Sequence, residues 1–160
     1  FLAPATACLA VSIYTRIQLL KENWLPILAG CTAGSLTSMG SIYALCRLFR
    51  LDEAVTASLL PKSVTTPIAI EVSQSLGGIQ AITVVAVIFT GILGSIFAPI
   101  LIKVFRIKDP VAAGLAIGAC SHAVGTSKAL ELGETEGAMS GLAIGVCGIL
   151  TVLFSLLLTA

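Results

Sequence analysis

Long apolar runs alternate with short charged stretches along the chain. Three internal runs reach the length of about 20 residues that a bilayer-spanning helix needs, and the apolar start predicts another membrane helix that continues upstream. The predicted spans are residues 1–15, 24–46, 79–102 and 137–160, and the predicted polar or charged loops are residues 16–22, 47–53 and 103–110. The pattern predicts an all-α, polytopic transmembrane protein. Because the sequence begins with Phe1, we expect residues 1–160 to form a single membrane domain that lacks N-terminal helices.

Two further segments, residues 54–76 and 111–131, are too apolar for solvent loops and too interrupted for simple spans. The first contains Pro61 and Pro67, and proline removes a backbone donor and clashes with the preceding helical turn. The second is interrupted by glycines, which are Gly114, Gly118, Gly125 and Gly133. Inside a membrane such breaks are tolerated where protein or a water-filled cavity satisfies the freed backbone groups.

The two interrupted segments are similar to each other at an offset of 60 residues. Five of the 16 positions from 62 to 77 have an identical counterpart, and Lys62 falls opposite His122. The identical pairs are Val64 and Val124, Thr66 and Thr126, Ala69 and Ala129, Glu71 and Glu131, and Gly77 and Gly137. Paired interrupted segments in two halves of a chain point to a transport site near the bilayer midplane. We therefore predict two broken-helix motifs related by a weak internal repeat.

The sequence allows two topologies for these segments. Each segment either crosses the bilayer once or enters and returns on the same side. The loop lysines and arginines divide five against two in both cases, so the excess of basic residues on the cytoplasmic side does not choose between them. We expect crossing, because each segment is long enough to span.

Composition restricts the class of protein and its partners. Hydrophobic residues make up 57% of the chain and charged residues 11%, with a mean hydropathy of +1.06. Soluble domains carry about 25% charged residues, so the lipid bilayer is the expected surrounding. The net charge of +1 gives no reason to expect a nucleic-acid partner.

The cysteines and polar residues show no pattern of a metal centre or an enzyme. Five cysteines without CxxC spacing indicate free, buried thiols, and Cys120 with His122 would form only an isolated half-site. We therefore expect no metal and no cofactor. No nucleophile with its base and orienting group is recognisable, and no GxSxG motif occurs, so we expect no enzyme.

The first interrupted segment carries candidate binding groups for an anion. A charged side chain inside a bilayer is costly and usually faces a cavity or a partner, and Lys62 stands beside Ser63, Thr65 and Thr66. A break at Pro67 would also expose a half-helix N-terminus, which attracts anions. These groups together suit a carboxylate. The alternative is that Lys62 lies near the membrane surface and extends its ammonium to water.

The second interrupted segment repeats this chemistry with a titratable group. His122 is the only histidine, and its ordinary pKa of about 6.5 allows proton exchange at physiological pH. Ser121 and Thr126 complete the predicted carboxylate site. Alternatively, His122 is a hydrogen-bonded packing residue, and Thr126 bonds only to the preceding helical turn.

Glu71 and Glu131 occupy equivalent positions in the repeat. Together with His122 they are candidates for proton coupling. The alternative is that both glutamates mark where their segments meet water.

At these motifs the chain resembles the LrgB/CidB family of bacterial membrane proteins. The similarity covers nearly the whole chain, although Ser12 stands where the family usually has proline. It lies in LAPATACLAVSIY (2–14), LLPKSVTTPIA (59–69), GGI (77–79), GILG (91–94), AAGLAIGACSHAVGT (112–126) and GLAIGVCGI (141–149).

The resemblance implies a multi-pass protein of the bacterial inner membrane. Members of the family are described as holin-like or antiholin-like and are linked to murein hydrolase export, autolysis and an LrgA/CidA-type membrane partner. Relatives are associated with pyruvate uptake, and a plastid relative with glycolate and glycerate transport. The resemblance thus implies a small monocarboxylate as substrate, which agrees with the anion chemistry inferred from the residues.

Two functional hypotheses follow. The first is a carrier of small monocarboxylates that is linked to control of cell lysis. The second is a holin-like or antiholin-like regulator without a specific substrate, which acts as a homo-oligomer through a small-residue stripe of Gly30, Ala33, Gly34 and Ser38. A purely structural membrane subunit is a third alternative.

Overall fold

Seven α-helices and no strand make up the part of the chain that the computed structural model describes, which is Tyr14 and residues 17–159. They are α1 (Ile17–Glu22), α2 (Trp24–Leu48), α3 (Glu53–Leu59), α4 (Thr66–Ser75), α5 (Gln80–Val104), α6 (Pro110–Leu132) and α7 (Glu134–Thr159). The predicted span over residues 1–15 and the Ser12 position lie outside these residues, apart from Tyr14.

The three internal spans predicted from the apolar runs are confirmed as helices. In the described residues, α2, α5 and α7 are long and apolar enough to cross a membrane. The polar loop predicted at residues 16–22 is wrong, because Ile17–Glu22 is helical. Its Leu19 and Leu20 pack against the main core, and this apolar contact outweighs the polar neighbours that suggested a loop.

The first interrupted segment is a helical hairpin, here called hairpin 1, made of α3, the tip at residues 60–65 and α4. Ser58 Oγ accepts a hydrogen bond from the Ile79 N–H at 2.7 Å, and Ser73 lies near it, bonded to the first turn of α5 at 2.7 Å. The chain between these two serines extends to Val64, which packs against Val87. Val87 lies about two helical turns beyond Ile79 along α5. The segment therefore enters the bundle and returns to where it began.

In the second interrupted segment, the first half of α6 runs in the same direction as α7. Gly114 lies against Met139, and one turn later Gly118 lies against Ala143. A Cβ on Gly118 would stand 2.8 Å from the Ala143 Cβ. Glycine at this position therefore allows the two helices to approach closely.

The second half of α6 runs in the opposite direction. Thr126 Oγ1 and Ser140 Oγ share a hydrogen bond of 2.7 Å, and Leu130, one turn later, lies against Gly137 nearer the start of α7. The reversal occurs at His122, whose φ of 41° and ψ of −141° interrupt the helix. We call this second hairpin, residues 110–132, hairpin 2.

The expectation that both segments cross the bundle is therefore wrong. Each segment has the length to span, but a turn at its middle divides it into two short arms. The prolines mark the turn of hairpin 1, with Pro67 in the first turn of α4. The turn of hairpin 2 falls at a histidine rather than at one of the glycines.

The two hairpins enter from opposite ends of the bundle. We call end A the end where α2 begins and end B the end where α2 finishes. Along α2, Gly30 approaches Leu115 and Gly34 approaches Ala119, so α2 and the first arm of hairpin 2 both run from end A. Hairpin 1 follows α2 and enters from end B.

The internal repeat is therefore a structural unit of one long helix followed by one hairpin. The first unit is α2 with hairpin 1, and the second is α5 with hairpin 2, where α2 and α5 are both 25 residues long. The second unit runs in the inverted direction, as in many secondary transporters. The offset of 60 residues pairs Lys62 in the tip of hairpin 1 with His122 at the tip of hairpin 2.

The main core lies between α2, the first arm of hairpin 2 and α7. Its buried members are Ile27, Cys31, Leu115, Ala119, Met139, Leu142, Ala143 and Cys147. A smaller cluster joins Val64 and Ala69 of hairpin 1 to Val87 of α5. Both clusters border the hairpin tips, so packing holds the tips in the middle of the molecule.

Candidate functional site

The tips of the two hairpins meet beside Val87 in the middle of α5. Val64 of hairpin 1 packs against the Val87 side chain, and the His122 Nε2 of hairpin 2 lies 2.9 Å from the Val87 carbonyl oxygen. Because a carbonyl only accepts, Nε2 carries the hydrogen and donates. One residue of α5 therefore positions both tips.

A cavity of about 300 Å³ lies between the tips. Its lining combines polar groups with apolar walls, and both hairpins and α5 contribute. The lining residues are Thr65, Thr66, Pro67, Ile88, His122, Ala123 and Val124.

Two helical arms begin at this cavity from opposite directions. Thr65 and Thr66 stand at the start of α4, and Ala123 and Val124 start the second arm of α6, after the reversal at His122. The first N–H groups of a helix have no partner within the helix, and they carry a partial positive charge that favours anions. The cavity therefore receives positive potential from both hairpins without needing a charged side chain in its wall.

Thr65 adds a hydroxyl that the fold leaves without a partner. It occupies the N-cap position of α4 but makes no capping hydrogen bond, although threonine there usually bonds the first helical turn. Its Oγ1 is buried and has no hydrogen-bond partner within the described part of the chain, and the residue is only 8% exposed. A buried, unpaired hydroxyl costs free energy, so a ligand that accepts a hydrogen bond from it would recover that cost.

Lys62 and Ser63 belong to the same tip but do not line this cavity. Lys62 Nζ donates to Ser63 Oγ at 3.0 Å, and Ser63 Oγ shares a hydrogen bond of 2.7 Å with Ser38 Oγ of α2. Lys62 instead lines an open groove beside α5. The structure therefore separates Lys62 and Ser63 from Thr65 and Thr66, which the sequence analysis had grouped.

Ser121 and Thr126 also lie outside the cavity wall. Ser121 is buried between Gly94 and Gly125. Thr126 Oγ1 donates to the His122 carbonyl at 3.0 Å and bonds Ser140. Both residues hold the turn of hairpin 2 in place.

Glu71 and Glu131 are exposed and lie away from the tips. Glu131 forms an ion pair with Lys128 on the second arm of α6. Within the described residues, no group of three metal-ligating side chains could hold a metal ion.

Three of the contributors that the sequence did not indicate lie outside the two interrupted segments. The Val87 carbonyl is part of the backbone, Ile88 resembles any other apolar residue of α5, and Ser140 looks like a small packing residue of α7. None carries a local sequence signal. The internal repeat, which pairs Lys62 with His122, was the one sequence feature that could have indicated a shared site between the two interrupted segments.

These features define a helical protein with long apolar helices, in which two inverted units of helix and hairpin border a pocket between the hairpin tips. The model of the LrgB-like family matches residues 1–160, so the chain belongs to the LrgB-like family.

Curated relatives agree with this assignment. Proteins of Bacillus mycoides (strain KBAB4) and Bacillus cereus (strain B4264), both named antiholin-like protein LrgB, are 41% identical to the chain over 152 residues. The alignment covers 95% of this chain and 66% of each relative, so the chain spans slightly less than two thirds of their length. No solved structure matches the chain.

Proposed function

We propose that the protein is a membrane carrier of small monocarboxylates of the pyruvate and glycolate type. The observation that supports this most directly is the unpaired Thr65 hydroxyl in a cavity where two helical arms begin. A carboxylate would accept hydrogen bonds from Thr65 and from the N–H groups of both arms. Discontinuous helices in secondary transporters bind anionic substrate groups in this way.

The cavity wall suggests the size and charge of the substrate. Pro67, Ile88 and Val124 contribute apolar surface to the wall, and none of its described lining residues is a lysine or an arginine. An anion with one carboxylate and a short, mainly apolar remainder fits such a site. A second carboxylate would meet apolar surface and lose hydration without compensation.

We propose a multi-pass orientation in the bacterial inner membrane with end A in the cytoplasm. In the described residues, Lys21, Lys103, Arg106 and Lys108 belong to the connections at end A, whereas Arg47 and Arg50 belong to end B. Basic residues are more frequent in cytoplasmic loops. α2, α5 and α7 would then cross the bilayer, and the two hairpins would enter from opposite faces.

An LrgA/CidA-type subunit is the proposed partner of the complete protein. Control of murein hydrolase activity and lysis would follow indirectly, because carboxylate flux changes the proton and metabolite balance across the membrane. The proposed link to murein hydrolase activity and lysis is supported by the family of the chain and not by the geometry of the cavity.

The second candidate is a holin-like or antiholin-like regulator, which the names of the relatives favour. It would act by oligomerising through the small-residue stripe on α2. However, Gly30 and Gly34 approach α6 within the chain and Ser38 bonds Ser63. Much of that stripe therefore already serves internal packing.

Transport by the reconstituted full-length protein separates the two candidates. Liposomes with and without the LrgA-type subunit would be loaded with unlabelled pyruvate or glycolate, and entry of the labelled acid would be measured without an imposed gradient. The carrier proposal predicts saturable exchange and no release of a trapped neutral dye. Dye release, together with entry of the acid that does not saturate, would support the holin-like alternative and contradict the carrier.

A further inference from the structure

We propose that the second arm of hairpin 2, residues 123–132, is the gate of the cavity between the tips, and that it moves outward to open this cavity toward end A while hairpin 1 stays in place. This inference rests on the proposed carrier function and names the part of the chain that opens its site. It follows from the way in which each hairpin is attached to the long helices.

The base of hairpin 1 is tied to the start of α5 by buried hydroxyl groups. Ser58 Oγ accepts a hydrogen bond from the Ile79 N–H at 2.7 Å, and Thr83 Oγ1 donates to Ser73 Oγ at 2.7 Å. Ser58, Ser73 and Thr83 are completely buried. Moving this base would leave buried hydroxyls without partners, which is costly.

The tip of hairpin 1 is held as well. Ser63 Oγ shares a hydrogen bond of 2.7 Å with Ser38 Oγ of α2, and Val64 packs against Val87 of α5. Ser63 and Val64 are both buried. Hairpin 1 is therefore attached at both ends to long helices, and it is the fixed wall of the cavity.

The second arm of hairpin 2 is attached less firmly. Within the described residues, its only side-chain hydrogen bond to another helix joins Thr126 to Ser140 of α7. The ion pair of Lys128 with Glu131 lies within the arm itself. Three of the ten residues of α4 are exposed, but six of the ten residues of this arm are. The exposed residues of the arm are Ala123, Val124, Ser127, Leu130, Glu131 and Leu132.

This arm also lies between two breaks in the helical backbone. His122 precedes it with φ of 41° and ψ of −141°, and Gly133 follows it with an extended φ of 173°. Hinges are a few residues at the ends of elements that absorb the change in backbone angles. The arm can therefore move as one rigid piece. The His122 ring stays bound to the Val87 carbonyl, which keeps one pivot at α5.

The part of α5 that borders the arm forms a weak contact with it. Ala129 of the arm is buried in a cluster with Ala98 of α5 and Ile117 of the first arm. Small side chains bury little apolar area, so separating them costs less than separating large ones. Pro99, the residue after Ala98, lies inside α5 and removes a hydrogen bond to the preceding turn.

Outward movement of the arm would open the cavity on one side. Ala123 and Val124 form part of the cavity wall, and the arm runs from this wall to end A. Its displacement would therefore remove wall on the end A side, while Thr65 and Thr66 of hairpin 1 keep their places. The two hairpins would then differ in role, because hairpin 1 holds the carboxylate and hairpin 2 admits it.

Two disulfides at equivalent places in the two hairpins test this inference. Thr126→Cys/Ser140→Cys would join the second arm of hairpin 2 to α7, the helix that follows it. Ser73→Cys/Thr83→Cys would join the second arm of hairpin 1 to α5, the helix that follows it, and is the matched control. In each pair the native side-chain oxygens are 2.7 Å apart, which leaves room for a disulfide after small side-chain rotations.

Exchange of labelled pyruvate would be measured in liposomes with full-length proteins that lack the native cysteines, before and after oxidation by copper phenanthroline. We expect the disulfide between positions 126 and 140 to lower the exchange rate by about 10-fold or more, and a reducing agent to restore it. The disulfide between positions 73 and 83 should leave the rate unchanged. An equal effect of the two disulfides, or a loss of exchange with the control disulfide alone, would overturn the inference.

Hydrogen–deuterium exchange of the wild-type protein is a second measurement that needs no substitution. Backbone amides of residues 123–132 should exchange about 10-fold faster than those of α4, and equal protection would contradict a mobile arm. This comparison decides if a cysteine pair does not cross-link or does not transport when reduced. Absence of pyruvate exchange by the wild type removes the carrier function itself, whereas exchange that neither disulfide slows removes only the gate.

Discussion

Thr65 and His122 serve the central cavity in different ways. Thr65 has a buried hydroxyl without a hydrogen-bond partner among the described residues, whereas His122 uses its ring to attach one hairpin tip to α5. The backbone of His122 is in a sparsely populated region with φ of 41°, which costs of the order of 1–3 kcal/mol. Such a conformation persists when the surroundings hold it, and here the Val87 carbonyl and the glycines of α5 do so.

Gly91 provides a test of this attachment at the scale of one residue. A Cβ on Gly91 would stand 2.5 Å from His122 Cε1 and 2.8 Å from Nε2, so the ring would have to leave its place. We expect Gly91→Ala to lower the unfolding free energy by roughly 1–3 kcal/mol and to weaken pyruvate binding. Thermal unfolding in detergent and a binding titration measure the two effects.

Gly40→Ala is the matched control for Gly91→Ala, since Gly40 lies inside α2 with nothing within 4 Å of the added Cβ. Alanine is favoured over glycine inside a helix by about 0.5–1 kcal/mol, so this variant should be as stable as the wild type or more stable. Equal behaviour of the two variants would show that Gly91 is not needed to make room for the histidine.

At the scale of elements, the long helices could be predicted from the sequence and the hairpins only in part. Apolar length alone located α2, α5 and α7 to within a few residues, because each must present about 20 apolar positions to lipid. The interruptions were visible as Pro61 and Pro67. The direction of each arm was not visible, because the loop lysines and arginines divide five against two under both topologies.

Only part of the lining of the candidate cavity could be predicted from the sequence, and its arrangement could not. Thr65, Thr66 and His122 were recognised from hydroxyls and a titratable group at the interruptions. The sequence did not show whether Lys62 lines the same cavity. Its position depends on the conformation of the tip of hairpin 1, which contacts Ser38 and α5. The reversal at His122 also had no local signal, because histidine is not a residue that usually marks a turn.

The inverted hairpins make a prediction about sidedness. In a background without native cysteines, Asp52→Cys and Ser75→Cys should react from the same side of the membrane, since both border hairpin 1 at end B. Lys108→Cys and Thr135→Cys should react from the other side, at end A. Labelling of intact cells and of inverted vesicles with a membrane-impermeant maleimide measures this. Reaction of Asp52→Cys and Ser75→Cys from opposite sides would mean that the segment crosses.

At the scale of the whole molecule, the two inverted units place equivalent tips at one central cavity. In secondary transporters built from inverted repeats, one unit rocks against another around a fixed binding site, and each motion opens the site to one side. In the described residues, both hairpins and α5 line the cavity between the tips. The proposed function therefore depends on whether this cavity binds an anion.

Pyruvate affinity in the Thr65→Val variant tests that central point most directly. Valine keeps the shape of threonine but removes the hydroxyl, which has no partner in the described chain. Thr56→Val is the control, because the Thr56 hydroxyl only donates to the Asp52 carbonyl near end B. Isothermal titration of the purified full-length proteins would give the three dissociation constants.

We expect Thr65→Val to weaken pyruvate binding by about 10- to 100-fold, the loss expected for one hydrogen bond to a charged group. Thr56→Val should bind as the wild type does. The folded protein should not lose stability in Thr65→Val, since an unpaired buried hydroxyl is removed. Wild-type affinity in Thr65→Val would contradict the account, because the carboxylate would then bind somewhere other than the cavity between the hairpin tips.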